Sequence, residues 1–328
     1  MMTRLSLCLV ALATMLPAGA TAAPQVGALR AFVSLESSAA VAVVDVRSRV
    51  VVRRIPVAAG PHNVDATSDG RRVVVTSPPA GRLTILDGRR LQVLRTVGGL
   101  RSPHDAKLTA NGRWAYVTEE GADTLAVVDL ERGRIAGRLA VGPRPHDLAV
   151  GDVIWVTRSG TRLTVVGCRR PLEQSCQTRP GRPYVLARPP AGGPAHDIDR
   201  FPDSADAWFT YWGSPRVGVV TSATRLVRRP RAVAEAMHLA VDYASGRRVW
   251  VVGEDGDGAI LDRSGRIVRL VRIGGTLHHV ALAPVPDLVG VVRNNPSALV
   301  LLRRTSGRLV TAVPLGGSAH DVAFALVR

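Results

Sequence analysis

The chain's 328 residues are 46% hydrophobic but only 4% aromatic, so a core of ordinary size is available and Val, Ala and Leu must pack it. Its formal net charge is +17, from 43 Lys and Arg against 26 Asp and Glu. The excess is almost all arginine, with Lys107 the only lysine, and it is scattered apart from short clusters such as Arg228-Arg229-Pro230-Arg231. That pattern argues against a nucleic-acid groove and for a solvated surface with affinity for an anionic envelope polymer.

Residues 1–23 read as a cleaved secretory signal peptide. Arg4 supplies the positive start, Leu5 to Leu16 the apolar stretch, and Ala20-Thr21-Ala22 the cleavage site. This stretch is too short to span a bilayer, and no later one is long enough for a transmembrane segment. The mature chain, 24–328, is expected to be secreted or periplasmic, a single domain and a monomer.

Strand signals begin at Ala31-Phe32-Val33-Ser34 and continue through 40–46 and 50–57. Then comes a unit that repeats: a histidine, a short strand, a turn such as Ser68-Asp69-Gly70, and three further strands. His62, His104, His146, His196, His238, His278 and His320 follow at spacings of 42, 42, 50, 42, 40 and 42 residues, and the eighth histidine, His279, adjoins one of them. A repeat of this length is that of a four-stranded propeller blade. The 50-residue gap holds an insertion at about 167–190 with Cys168 and Cys176. In an oxidising compartment these favour a local disulfide over a two-thiolate metal site. Three strands precede the first complete unit, and one strand, His320 onward, follows the last. The expected architecture is therefore an all-β, seven-bladed β-propeller of four-stranded blades, closed by three N-terminal strands plus one C-terminal strand.

The segments IPVAAGPHNVDATSDGRRVVVTS and LAVGPRPHDLAV, with AYVTEE and TLAVVDL, resemble the YVTN-type repeats of bacterial propellers. The resemblance covers nearly the whole mature chain. It implies the propeller fold and a range of roles: lactonase-like enzymes, virginiamycin B lyase-like proteins, haem d1-associated propellers and binding proteins.

Strand order puts the start of each innermost strand on the same face as the loop between the second and third strands. One imidazole per blade should therefore ring the mouth of the axial channel. A lone histidine in such a place would suggest a structural hydrogen bond. Seven in register, packed together, would repel when protonated, and a bound transition metal removes that cost. All-nitrogen ligands suit copper first, with zinc or iron as alternatives. The candidate ligands are the seven named, with His279 as a further one. The residues that follow them are Asn63, Asp105, Asp147, Asp197, Leu239, His279 and Asp321. The aspartates among these fit equally well as orienting partners of the imidazoles or as turn caps.

The loops of the same face carry Glu36, Ser77, Glu119, Glu120, Arg158, Tyr211, Trp212, Glu254, Asp255, Arg293 and Asn294. Among them Glu119, Glu254 and Tyr211 are candidate catalytic groups, and Arg158, Trp212 and Arg293 candidate ligand contacts for a small molecule at the channel mouth. Gly253 to Gly258 resembles a calcium-loop fragment but lacks the distal Glu, and a solvated turn is expected. The sequence has no Gly-x-Ser-x-Gly elbow, phosphate loop or haem-attachment motif. The leading expectation is a metal-binding propeller, copper first, acting on a small ligand. The alternatives are a lyase or lactonase with one or two histidines as acid–base groups, and a non-catalytic binder of haem d1 or of an envelope partner.

Overall fold

The computed structural model describes residues 27–169, 175–178, 180–204, 206–221, 225–242 and 247–328. The expected signal peptide lies outside them. Among the described residues no helix is long and apolar enough to cross a membrane.

Seven four-stranded antiparallel sheets form the blades. Their innermost strands are Val64–Ala66, Pro103–Leu108, Pro145–Val150, Ala195–Arg200, Ala236–Asp242, Thr276–Leu282 and Ala319–Val327. Each touches the next, and the last touches the first. The closing blade pairs Ala319–Val327 with Ala28–Leu35, then Ala40–Asp45 and Val50–Pro56, so three N-terminal strands and one C-terminal strand complete the ring as expected. Closure leaves no blade without its fourth strand.

The burial pattern follows from position within the blade. The second strand of a blade, such as Val73–Ser77, is buried on both faces and reads as a continuous apolar run. The outermost strand, such as Gln92–Val97, is exposed along most of its length. Seven apolar clusters fill the seven interfaces between adjacent blades. Their members are mostly Val, Ala and Leu, as the scarcity of aromatics requires.

The turn after the innermost strand recurs with its chemistry intact. Asp69 Oδ1 accepts from Thr67 Oγ1 and Arg71 N, and Asn111 Oδ1 accepts from Thr109 Oγ1 and Arg113 N. Gly70 and Gly112 take the left-handed conformation that closes each turn. Cys168 and Cys176 form the expected disulfide, with their Cα atoms 5.5 Å apart. Tyr116 Oη donates to the Cys176 carbonyl (2.9 Å), tying the cysteine loop to the preceding blade. Gly253 to Gly258 is a strand-to-strand turn, in which Asp257 N donates to Asp255 Oδ1.

Candidate metal centre at the propeller axis

The innermost strands, and the residues that lead into Val64–Ala66, bring all eight imidazoles together. Ring contacts run in a closed circuit: His62 to His104 (4.5 Å between centroids), His104 to His146 (3.6 Å), His146 to His196 (4.6 Å) and His196 to His238 (4.8 Å). The circuit continues from His238 to His279 (3.9 Å), His279 to His320 (5.1 Å) and His320 back to His62 (3.6 Å). His278 stands 5.3 Å from His320 and 6.5 Å from His238.

The seven positions are not equivalent, which corrects the expectation of one histidine at the same place in each blade. Strand register decides this. Pro103 pairs with Glu119 and Ala106 with Val117, bracketing His104 and Asp105. In the fifth blade Ala236 pairs with Gly253 and Leu239 with Val251, so Met237 takes the His104 position and His238 the Asp105 position. The hydrogen bonds agree: Thr118 Oγ1 donates to the His146 carbonyl, whereas Thr210 Oγ1 donates to that of Met237. In the sixth blade Leu277 and Val280 bracket His278 and His279, so His279 also occupies an aspartate position. The hub therefore has an upper tier, His62, His104, His146, His196, His278 and His320, and a lower pair, His238 and His279.

The aspartates divide their roles. Asp105 accepts from Ala106 N and Lys107 Nζ and, across the two blade boundaries, from Asn63 Nδ2 and Leu148 N. Asp197 and Asp321 likewise bridge to the next innermost strand, through Leu239 N and Val64 N. A second layer repeats the device, with Asp65 accepting from Leu108 N and Asp199 from Val241 N. Asp147 differs. Its carboxylate lies 3.2 Å from His104 Nδ1 and 3.3 Å from His146 Nδ1, and neither oxygen has another partner among the described residues.

Burial dominates the electrostatics. Desolvation takes His62 and His238 down to about 3, and with neighbouring imidazoles it pulls His196, His279 and His320 well below the ordinary range. Desolvation lowers His278 as well. These rings are neutral at pH 7 and each keeps a ligating lone pair. His104 is the exception: desolvation works against its charge, but Asp147, Glu120 and Asp105 carry its pKa upward. Burial would raise Asp147 too, yet His146 and His104 hold it well below the usual carboxylate range. Deeper in the channel desolvation raises Asp321 to about 8 and Asp199 to about 6, and it raises Asp65.

Four groups of donors converge: Glu36, His62 and His320; His104, Glu120 and His146; His146, Asp147 and His196; and Asp197, His238 and His279. Within each, the ligand atoms lie within 4.8 Å of one another. Two bonds of about 2.1 Å to one ion set an upper limit of about 4.2 Å between donors, so an ion would draw the groups slightly together. The donor chemistry fits a transition metal. Nδ1 of His104, His146 and His238 are buried with only the Asp147 and Asp197 carboxylates 3.2–3.5 Å away, and Nε2 of His279 is buried without a hydrogen-bond partner among the described residues.

The rim residues fall into two sets. Glu36 lies 3.6 Å from His320 and 3.8 Å from His62, and Glu120 lies 3.8 Å from His146. Trp212, half exposed, sets its indole edge-on to His196 (4.1 Å) and His146 (5.4 Å). Glu254 is exposed and acts electrostatically on His278. Glu119 is committed elsewhere. Fully buried, it accepts from Arg138, Thr124 Oγ1 and Arg101 N, and these bonds outweigh burial and lower its pKa. Tyr211 donates to the Ala191 carbonyl (2.6 Å) beneath the Arg229 guanidinium. Ser77 donates to the Ala58 carbonyl, and Asn294 clamps both backbone groups of Ala319. Arg158 and Arg293 pair with Pro145 and Leu277 in different blades.

Sequence reasoning missed Met237, the special place of Asp147, and Lys107. The lysine projects among carboxylates, 3.0 Å from Asp105, and Asp105, Asp65 and Asp321 overcome its burial to raise its pKa. A signal for Met237 was present: Ala-Met-His-Leu stands where other blades read Pro-His-Asp or Ala-His-Asp.

Comparison with known proteins supports the fold. A family model described as YNCE-like beta-propeller matches residues 11–110. No curated protein matches the chain in sequence. Among solved structures, a functionally unknown protein from Desulfotomaculum acetoxidans DSM 771 superposes with a TM-score of 0.76 at 14% identity, over 91% of this chain and 99% of that one. Apo AztD from Citrobacter koseri gives 0.69 at 15% identity, over 92% and 98%. The dihydro-heme d1 dehydrogenase NirN in complex with DHE gives 0.64 at 14% identity, over 89% and 74%. These likenesses bear out the seven-bladed propeller that the YVTN-type repeats imply.

Proposed function

We propose that this chain is an exported metal-binding propeller that holds a transition ion among its axial histidines and presents it to a small ligand at the Trp212 face. The observation that carries the reading is the convergence of eight imidazoles, most of them neutral, into groups whose donor atoms lie within 4.8 Å of one another together with nearby carboxylates. Neutral imidazole with carboxylate neighbours suits copper or zinc, and copper leads on affinity. Asp147 fits as the carboxylate that orients His104 and His146. Export rests on the N-terminal signal pattern and on the Cys168–Cys176 disulfide, which persists in an oxidising compartment.

A haem d1 type of ligand is a second reading, favoured by the likeness to NirN. The contacts of 3.6–5.1 Å around the histidine circuit weigh against a macrocycle seated between the rings.

Elemental mass spectrometry on the untagged mature protein tests the proposal. At least one copper or zinc ion per chain is expected, and fewer in a His104→Ala/His196→Ala/His320→Ala variant that still folds. A parent protein without metal, and without uptake on titration, sinks the metal reading.

A further inference from the structure

The lower pair of histidines has surroundings of its own. His238 and His279 are buried in adjacent blades, and Asp197 Oδ2 lies 3.5 Å from His238 Nδ1. The three donors form a two-histidine, one-carboxylate group, the only one of the four groups whose members are all buried. Beside it lies a cavity of about 930 Å³. Asp197 and His279 line this cavity, which runs down past Lys107 and Asp199 to Pro284 and Asp287. His279 Nε2 is buried without a hydrogen-bond partner among the described residues. The upper groups are different: Glu36, Glu120 and Trp212 place them on the other face of the propeller.

We infer that Asp197, His238 and His279 form a second metal site, distinct from the upper tier, whose open coordination positions face the cavity. Two imidazoles and one carboxylate bind a divalent first-row ion and leave positions for an exogenous ligand. A small anionic or neutral donor entering from the cavity side would complete the shell. The inference rests on the proposed function for the principle that the hub binds metal, and it adds a partition of that hub into two sites of opposite access.

Titration with Co(II), read by its visible absorption, separates the possibilities. The parent chain is expected to take two ions. The His104→Ala/His196→Ala/His320→Ala variant should keep one, and azide should change the spectrum of that ion. A His238→Ala/His279→Ala variant should keep one upper-tier ion; His279→Gln serves if the double variant does not fold. Loss of all binding in the upper-tier variant, or unchanged stoichiometry in the lower-tier variant, overturns the inference while leaving a metal hub in place. A parent chain that takes no ion removes the functional reading itself.

Discussion

Asp147 and Trp212 make the residue-scale case most sharply. A buried carboxylate with two imidazole nitrogens within 3.3 Å and no other partner among the described residues is placed to orient ligands. Outer-shell partners of this kind are worth about 10- to 100-fold in metal affinity. Asp147→Asn should weaken binding by about that factor, measured by competition with a chelator, and an unchanged affinity would make Asp147 structural. Trp212 is half exposed and edge-on to His196. Copper loading should therefore quench its emission, and Trp212→Phe should remove the largest share of that quenching. Equal quenching in the variant would place the ion elsewhere.

At the scale of the element, the innermost strands are tied to one another by carboxylates. Asp105 receives four hydrogen bonds, two of them from the neighbouring blades. Asp105→Ala strands a buried backbone N–H and should cost about 1–3 kcal/mol in denaturant unfolding. Asp255→Ala, on an exposed turn, should stay within about 0.5 kcal/mol. Similar losses at both positions would remove the bridging role. The blades themselves were legible in the sequence because histidine, turn and apolar runs recur together at nearly constant spacing. The tiers were not, because spacing counts residues along the chain whereas register depends on a bulge. His238 keeps its 42-residue interval from His196 yet lies one position deeper, since intervening loops absorb the difference. Glu119 misled for another reason. A glutamate at a strand end near the rim looks like a base in sequence, and only tertiary structure reveals Arg138 across from it.

Over the whole molecule, the hub couples stability to pH in two opposed ways. His62 and His238 are held near 3, far below the value of an unfolded imidazole, and His196, His279 and His320 are also well below it. As pH falls below about 6.5 the unfolded chain takes up protons that these rings refuse, so stability is lost. Asp321 and Asp199 are raised, to about 8 and about 6. The unfolded chain is already ionised at these positions above about pH 4, so their contribution is lost as pH rises through the folded values. The metal-free protein should therefore be most stable near pH 6.5, and its thermal midpoint should fall on both sides. A flat profile from pH 5 to 8 would contradict this reading of the hub. The central claim, that the convergent imidazoles hold a transition ion, is tested most directly by X-ray absorption on copper- or zinc-loaded protein. At least two imidazole nitrogens at about 2.0–2.1 Å are expected around the ion, and a shell of water and carboxylate oxygens without imidazole scattering would contradict the account.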